Sequence, residues 1–373
     1  MSETEGTTDL LQELVRAPAP PGREEAVLAV CRRELEAVCD TVDADAWGNL
    51  VGRLGPAQAD RPGVRIVVHA DEVAMIVKRV DPDGGLRVLR MGGVFPQTLG
   101  TGPVEVLGDR KTLSGVLSTG PMHVTRESAR IWEHHPRGEN RALDWQHVRV
   151  VTRKRPAQLA DAGVHPGTRV VIARARRELF RFADCVAGYF LDDRAAVLAA
   201  LRALHLLREG PGPRREVELM VTREEEPGTS SVKGAALRAP ERETVAVDVA
   251  PAAAEYAIDL CARPVVVYGD KHGFYDPALA QALLEAGRAA GTDPQTAVLE
   301  NYGSDASQAH LAGALARTGL VGIPTDNTHG YEVMVEAAID HAARLLAAYA
   351  GGVHRATGPF IGPSGKPRGR GGH

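Results

Sequence analysis

Acids and histidines gather at the ends of hydrophobic runs in this chain. His69 closes the run Arg65–Val68 and is followed two residues on by Asp71. Asp192 and Asp193 stand where the chain enters an Ala/Leu-rich stretch, and Glu224, Glu225 and Glu226 follow the run Glu216–Val221 and precede Pro227-Gly228. Asp248 lies near the end of Thr244–Val249, and His329 sits in the polar stretch Thr325–Glu332. In an open α/β sheet, ligands bind outside the carboxyl ends of the strands. Carboxylates crowded there repel one another unless a cation or protons compensate. Imidazole and carboxylate together suit Zn²⁺ and similar ions, and one carboxylate can bridge two ions about 3.5–4 Å apart, as in two-metal hydrolases. Such a site needs a bridging acid, two further ligands per ion and a separate base. The set supplies these with one acid to spare.

Each residue also has a plainer reading. A histidine at a strand end is more often a core or capping group than a ligand. Asp192-Asp193 ahead of a helix would serve as an N-cap and a dipole-favoured acid. Three consecutive glutamates are usually a solvated patch, although these follow a hydrophobic strand and meet a Pro-Gly turn. His329 could be surface. Asp248 differs, because it is flanked by Val and Ala, and a buried carboxylate without a partner is expensive. The strength of the metal reading lies in five such groups, His69, Asp192, Glu226, Asp248 and His329, sharing strand-end positions.

The elements that must position them follow from hydrophobic spacing. Glu24–Val38 reads as a helix entered through Pro21-Gly22, and Arg65–His69 as a buried β-branched strand. Between 76 and 185, short β-like pieces (Met75–Val80, Leu86–Met91, Val104–Leu107, Val148–Thr152, Arg169–Ala173) alternate with Gly- and Pro-rich turns, with Thr125–Arg141 as a loop. Beyond 186, helices Asp193–Glu209, Ser231–Arg238, Pro277–Gly291 and Asp305–Ala314 alternate with strands Glu216–Val221, Thr244–Val249, Pro264–Tyr268 and Gly319–Ile323. A long amphipathic helix, Tyr331–Tyr349, closes the fold. This alternation predicts an α/β domain, residues 1–75 and 186–355, with a mostly parallel sheet covered by helices on both faces. A small all-β, barrel-like domain at 76–185 is inserted into it. The Gly-, Pro- and Arg-rich tail 356–373 cannot bury a core and is expected to be disordered.

Composition narrows the function classes. A length of 373 residues suffices for two domains, and a formal charge of −4 gives no footprint for nucleic acid or an anionic membrane. No apolar run approaches the ~18 residues of a membrane span. Met1–Leu10 is polar and lacks a signal-peptide pattern. Cys31, Cys39, Cys185 and Cys261 are scattered, without a C-x-x-C pair, and read as free thiols. A cytoplasmic protein is expected. Gly100-Thr101-Gly102 is not a dinucleotide fingerprint, because Glu105 stands where the third glycine belongs. His123, His134, His135 and His147 read as structural or surface groups.

Taken in order, the motifs resemble those of the tetrahedral aminopeptidases, dinuclear metal exopeptidases that include glutamyl and deblocking aminopeptidases. His69–Val77 is similar to their H-x-D-E motif, Gly188–Arg194 to D-D-R, and Val221–Gly228 to T-x-x-E-E-x-G. Ala246–Ala250 and Asn327–Glu332 are similar to the last two ligand motifs, and Gly115–Val124 and Leu159–Val170 to landmarks of the insertion. The resemblance implies that His69 and Asp248 hold one divalent ion, Glu226 and His329 a second, and Asp192 bridges. It implies Glu225 as general base, Asp71 orienting His69, Asp193 and Arg194 supporting Asp192, and a cis peptide at Asp192-Asp193. Matching Thr222 and Gly228 to the motif selects Glu225-Glu226 as its acid pair, whereas a shift by one selects Glu224-Glu225 and leaves the glycine out of step.

Zinc is the first expectation for the two ions, with cobalt or manganese as alternatives. The implied activity is removal of N-terminal residues from short peptides by a homo-oligomer, dodecameric or dimeric, assembled through the insertion. Asn301–Ala309 and Leu143–Val150 depart from the commonest members and look closer to a bacterial branch associated with osmoprotectant gene clusters. That leaves a specialised small amide open as substrate. The rival readings are a deacylase or carboxypeptidase using the same metals, and an inactive scaffold. Against the scaffold stands the presence of every ligand and of the base.

Overall fold

The computed structural model describes residues 3–56, 63–228 and 231–352, so the expected tail 356–373 lies outside the described residues. In chain order, helices α1 (Glu3–Arg16) and α2 (Glu25–Val38) lead into strands β1 (Thr41–Ala44), β2 (Leu50–Leu54) and β3 (Val64–His69). A barrel segment follows: β4 (Ala74–Val80), β5 (Leu86–Met91), α3 (Pro96–Leu99), β6 (Gly102–Leu107), β7 (Thr112–Ser118), α4 (Ala129–His134), β8 (Arg149–Val151), α5 (Pro156–Asp161) and β9 (Arg169–Ile172). Then come β10 (Phe180–Phe182), β11 (Cys185–Tyr189), α6 (Leu191–Glu209), β12 (Val217–Thr222), α7 (Val232–Ala236), β13 (Glu243–Pro251) and β14 (Val265–Val267). The chain continues through β15 (Gly269–Asp270), β16 (Gly273–Phe274), α8 (Pro277–Ala289), β17 (Gln295–Ala297), α9 (Asp305–Leu311), β18 (Thr318–Thr325), β19 (Tyr331–Val335) and α10 (Ala337–Ala350).

The central sheet has eight strands in the order β1-β2-β12-β3-β13-β18-β14-β17. Its middle is parallel, β12 with β3, β3 with β13 and β13 with β18. Outside it β1–β2, β2–β12 and β14–β18 run antiparallel and β14–β17 is parallel, so the sheet is mixed, with parallel pairs in a narrow majority. Connectivity accounts for part of this: β14 and β17 are parallel and joined through α8, while β1 and β2 form a hairpin that needs no crossover. Every residue of β3 and β12 is buried, as expected of strands covered on both faces. Helices α6 and α10 pack together, and their Ala- and Leu-rich faces join the core over the sheet.

Strands β4, β5, β8, β7, β6 and β9 close into a barrel with its own core, which includes Met75, Leu86, Val106, Leu117, Val150 and Val170. The expected loop Thr125–Arg141 contains α4. That helix buries none of its residues completely, so it carries no amphipathic signal. With α3 and α5 it makes this segment other than purely β. The expected helix Tyr331–Tyr349 also needs correction. Its first residues form β19, paired antiparallel with β11, and the helix begins at Ala337. Val333 and Val335 are β-branched, and this half of the segment suits an extended partner better than a helix. A helix that the spacing did not mark, α1, precedes the expected Glu24–Val38 helix. Among the described residues the four cysteines are free, and no helix is long and apolar enough to cross a membrane.

Candidate metal centre

Parallel registration brings the first residues together. His69 ends β3 beside Thr222, the last residue of β12, and Asp248 lies in the neighbouring β13. Past β12 the chain turns through Glu224, which has a left-handed φ of 57°. The turn directs two successive N–H groups at one carboxylate: Glu225 donates to Asp71 Oδ1 at 2.9 Å and Glu226 to Asp71 Oδ2 at 3.0 Å. Consecutive amides converging on an anion form a nest. Asp192 and Asp193 lie at the start of α6 but have non-helical backbone angles, and the peptide bond between them is cis. His329, also left-handed at φ 58°, sits in the turn between β18 and β19. Glu332 holds this side together, accepting the N–H of His329 at 3.0 Å and that of Asp192 at 2.9 Å.

Two groups of potential ligand atoms result. His69, Asp192, Asp193 and Asp248 form one, and Asp192, Glu226 and His329 the other, with the atoms of each within 4.8 Å of one another. Asp192 belongs to both. Its Oδ1 is 3.1 Å from His69 Nε2 and its Oδ2 is 3.5 Å from His329 Nε2. His329 Nε2 is 3.4 Å from Glu226 Oε2. Asp71 stands behind His69, its Oδ1 3.5 Å from Nδ1. Glu225 is buried alongside, and its Oε1 accepts a hydrogen bond from Gln308 at 3.1 Å. Asp193 accepts the backbone N–H of His69 at 3.1 Å through Oδ2. Arg194 turns away from Asp192, toward the carbonyls of Leu14, Ala70 and Asp71 and the carboxylate of Glu72.

This crowding shows in the proton affinities. Burial is the largest cause holding the carboxyls of Glu225, Asp193 and Glu332 well above the usual range. Burial, with Asp192 adding to it, pushes Glu226 up to about 8 and Asp248 to about 7. Asp192 goes the other way: burial opposes its charge, but hydrogen bonds from His329 and His69 hold it below the ordinary range. Burial also opposes a charged His69, yet Asp193, Asp192 and Asp71 outweigh it and raise the imidazole well above its usual value. Glu226 is the main cause that raises His329. The cluster cannot ionise fully by itself. Asp193 Oδ1 is moreover buried without a hydrogen-bond partner. A carboxylate and imidazole donor set with such unfilled capacity fits a divalent cation.

Several participants had no role assigned from the sequence. Glu332 lies within the segment taken for helix. Thr222 donates its hydroxyl to Asp305, Tyr302 lies beside Asp248 and donates to the carbonyl of Val249 at 2.8 Å, and Gln308 reaches Glu225. The last three come from Asn301–Ala309. Its Ser304 accepts from Ser307 N–H in a helix-capping box, a pattern visible as Ser-Asp-Ala-Ser, which fixes how α9 presents Asp305 and Gln308. In the barrel, His135 stacks on Trp132 and bonds to the carbonyl of Met122, and His147 bonds to Glu133.

A helix-covered sheet that gathers buried acids and two histidines at its strand ends, with a β-barrel following the strand of the first histidine, is an arrangement suited to hydrolysis assisted by divalent ions. The chain belongs to the M42 glutamyl aminopeptidase family, which it matches over residues 48–345, and it is a peptide hydrolase. It is 25% identical over 245 residues to the lysyl aminopeptidase of Pyrococcus furiosus, covering 65% of this chain and 66% of that protein. It is 24% identical over 368 residues to the Bacillus subtilis protein YhfE, covering 94% and 98% of the two chains. In fold it is similar to the TET1 peptidase of Pyrococcus horikoshii, with a TM-score of 0.79 at 22% identity over 92% of this chain and 99% of that one.

Proposed function

We propose that this protein is a dinuclear metal-dependent aminopeptidase that removes N-terminal residues from short peptides. The observation that carries the reading is the position of Asp192, whose two oxygens face His69 on one side and His329 on the other. In this reading His69 and Asp248 hold one ion, Glu226 and His329 the other, and Asp192 is shared. When bound, two divalent ions supply polarisation of the scissile carbonyl and acidify an attacking water. Zinc suits the donors best, with cobalt or manganese as alternatives.

The remaining work falls to the chain. Glu225, buried and anchored by Gln308, takes a proton from the attacking water and hands it to the leaving amine. Its high proton affinity suits a group that must hold that proton between the two events. Asp71 fixes Glu225 and Glu226 by their backbone and faces the far nitrogen of His69. The barrel formed by β4 to β9 is assigned to contacts between copies of the chain. Leu89, Phe95, Val116 and Met122 are exposed on it, and the horikoshii peptidase can assemble into a tetrahedron or an octahedral shell.

The test is metal analysis beside a panel of aminoacyl and N-acyl amides. Two ions per chain and cleavage restricted to substrates with a free α-amine are expected. A fully folded, metal-free protein that still cleaves would sink the metal reading, and cleavage of N-acyl substrates alone would make the protein a deacylase.

A further inference from the structure

The centre is built from acids, yet a cation stands at its edge. Lys233 in α7 is half-buried, with Nζ 3.3 Å from the carbonyl of Gly228 and 3.3 Å from Gln308 Oε1. Both are neutral acceptors, and no carboxylate pairs with Lys233 among the described residues. An ammonium has three donors, so one remains for a ligand. The other end of the Gln308 side chain donates to Glu225 Oε1 at 3.1 Å. One planar amide therefore joins this cation to the residue assigned to move the proton.

The surroundings are basic as well. The turn Lys271-His272, between β15 and β16, closes over Gly303, where a Cβ would stand 2.6 Å from His272 Nε2 and 3.2 Å from Lys271 Cε. Burial chiefly disfavours a charged His272, and the charges of Lys271 and Lys233 act in the same direction. Asp270 is the acid facing this turn. It is engaged by the N–H of His272 at 2.8 Å and the hydroxyl of Tyr275 at 2.7 Å.

We propose that Lys233, positioned by Gln308, binds the free C-terminal carboxylate of a dipeptide substrate and so selects dipeptides over longer chains. This selection presupposes the aminopeptidase activity proposed above. Glu225 delivers its proton to the leaving amine, so that amine lies against Glu225. In a dipeptide the leaving nitrogen and the terminal carboxyl carbon are separated by a single Cα, about 2.5 Å. The Gln308 amide bridges Glu225 and Lys233 through contacts of 3.1 and 3.3 Å, so a dipeptide lying alongside it would likewise meet Glu225 with its leaving nitrogen and Lys233 with its carboxylate. In a longer peptide a neutral carbonyl occupies that place, and the charge-assisted bond is lost.

For an aminoacyl group Xaa that the ion-loaded enzyme cleaves, kinetics of Xaa-Gly, Xaa-Gly-amide and Xaa-Asp-amide test the proposal. The wild-type protein is expected to favour Xaa-Gly over its amide by about tenfold, mostly through KM, as for one charge-assisted hydrogen bond. Lys233→Met is expected to bring that ratio close to one, and Lys233→Arg to restore most of it. Equal kcat/KM for acid and amide in the wild type would overturn the proposal without recourse to any variant. So would an undiminished preference in Lys233→Met, or a preference for Xaa-Asp-amide, which would move the recognised carboxylate to a side chain. Failure to cleave any free-amine substrate would instead overturn the aminopeptidase reading, and this proposal with it.

Discussion

Asp71 accepts the backbone N–H of Glu225 through one oxygen, at 2.9 Å, and that of the next residue through the other. The same carboxylate faces His69 Nδ1 at 3.5 Å. One buried side chain thus couples a strand end to the turn after β12. Replacement by asparagine keeps the shape but turns a donor toward one of the two N–H groups. Asp71→Asn is expected to lower kcat/KM by about 10- to 100-fold and to weaken ion affinity by a similar factor. Steady-state kinetics and chelator competition measure the two effects, and retention of both would reduce Asp71 to a space-filling role.

Glu225 and Glu226 are adjacent, but only Glu226 shares a ligand group with His329. Their variants should therefore separate. Glu225→Gln is expected to keep its ions and lose about 10²- to 10⁴-fold in kcat, the usual contribution of a general base. Glu226→Gln is expected to lose one ion per chain. Metal analysis of the two proteins side by side decides the assignment. Loss of an ion in Glu225→Gln with little effect of Glu226→Gln would restore the alignment shifted by one residue.

How far the sequence revealed this centre depends on the range of each signal. His69, Asp192, Glu226, Asp248 and His329, which the structure brings together, could be singled out because strand ends are local features, marked by hydrophobic runs that stop at a polar residue. The central parallel strands were legible for the same reason. The antiparallel flanks were not, since the direction in which β14 pairs with β18 is decided by a partner far along the chain. β19 was hidden because its residues run without a break into those of α10, and only pairing with β11 makes them extended. Gln308 and Glu332 were invisible as site residues. Their roles come from reaching Glu225 and the Asp192 backbone across 83 and 140 residues.

The ion-free protein should be least stable where the metal is expected to act. Asp248 and Glu226 are raised to about 7 and about 8 from ordinary values of 3.8 and 4.5, burial being the first cause. Between those limits the folded chain holds protons that the unfolded chain has released, so stability falls as pH rises from about 4 to about 8. His69 and His329, raised in the folded state, act with the same sign. Their contribution is full below 6.5 and is lost as pH climbs through their folded values. Thermal melts of chelated protein should therefore show a falling midpoint from pH 5 to pH 8. Added zinc should raise the midpoint most at the alkaline end, where fewer protons must be displaced. A chelated midpoint that rises over this range would contradict the buried-acid account.

Behind the centre, Glu72 holds two guanidinium groups. Its oxygens meet Arg177 at 2.5 and 3.0 Å and Arg194 at 2.9 Å, and all three side chains are essentially without solvent exposure. Arg194 also bonds to the carbonyls of Leu14 and Ala70, and Arg177 to those of Val15 and Ile172. Glu72 therefore ties α1, the end of β3, the segment after β9 and the start of α6 into one joint. Glu72→Gln leaves two buried cations uncompensated, which costs on the order of 3–5 kcal/mol. Urea titration is expected to show an earlier midpoint with an unchanged slope. Adding Arg177→Met removes one of the stranded charges and should recover part of the loss. If the double variant is instead less stable than Glu72→Gln, the loss comes from packing and backbone hydrogen bonds rather than from unpaired charge. The same joint carries Asp192 and Asp193, so ion affinity should fall with stability in the single variant and recover with it in the double.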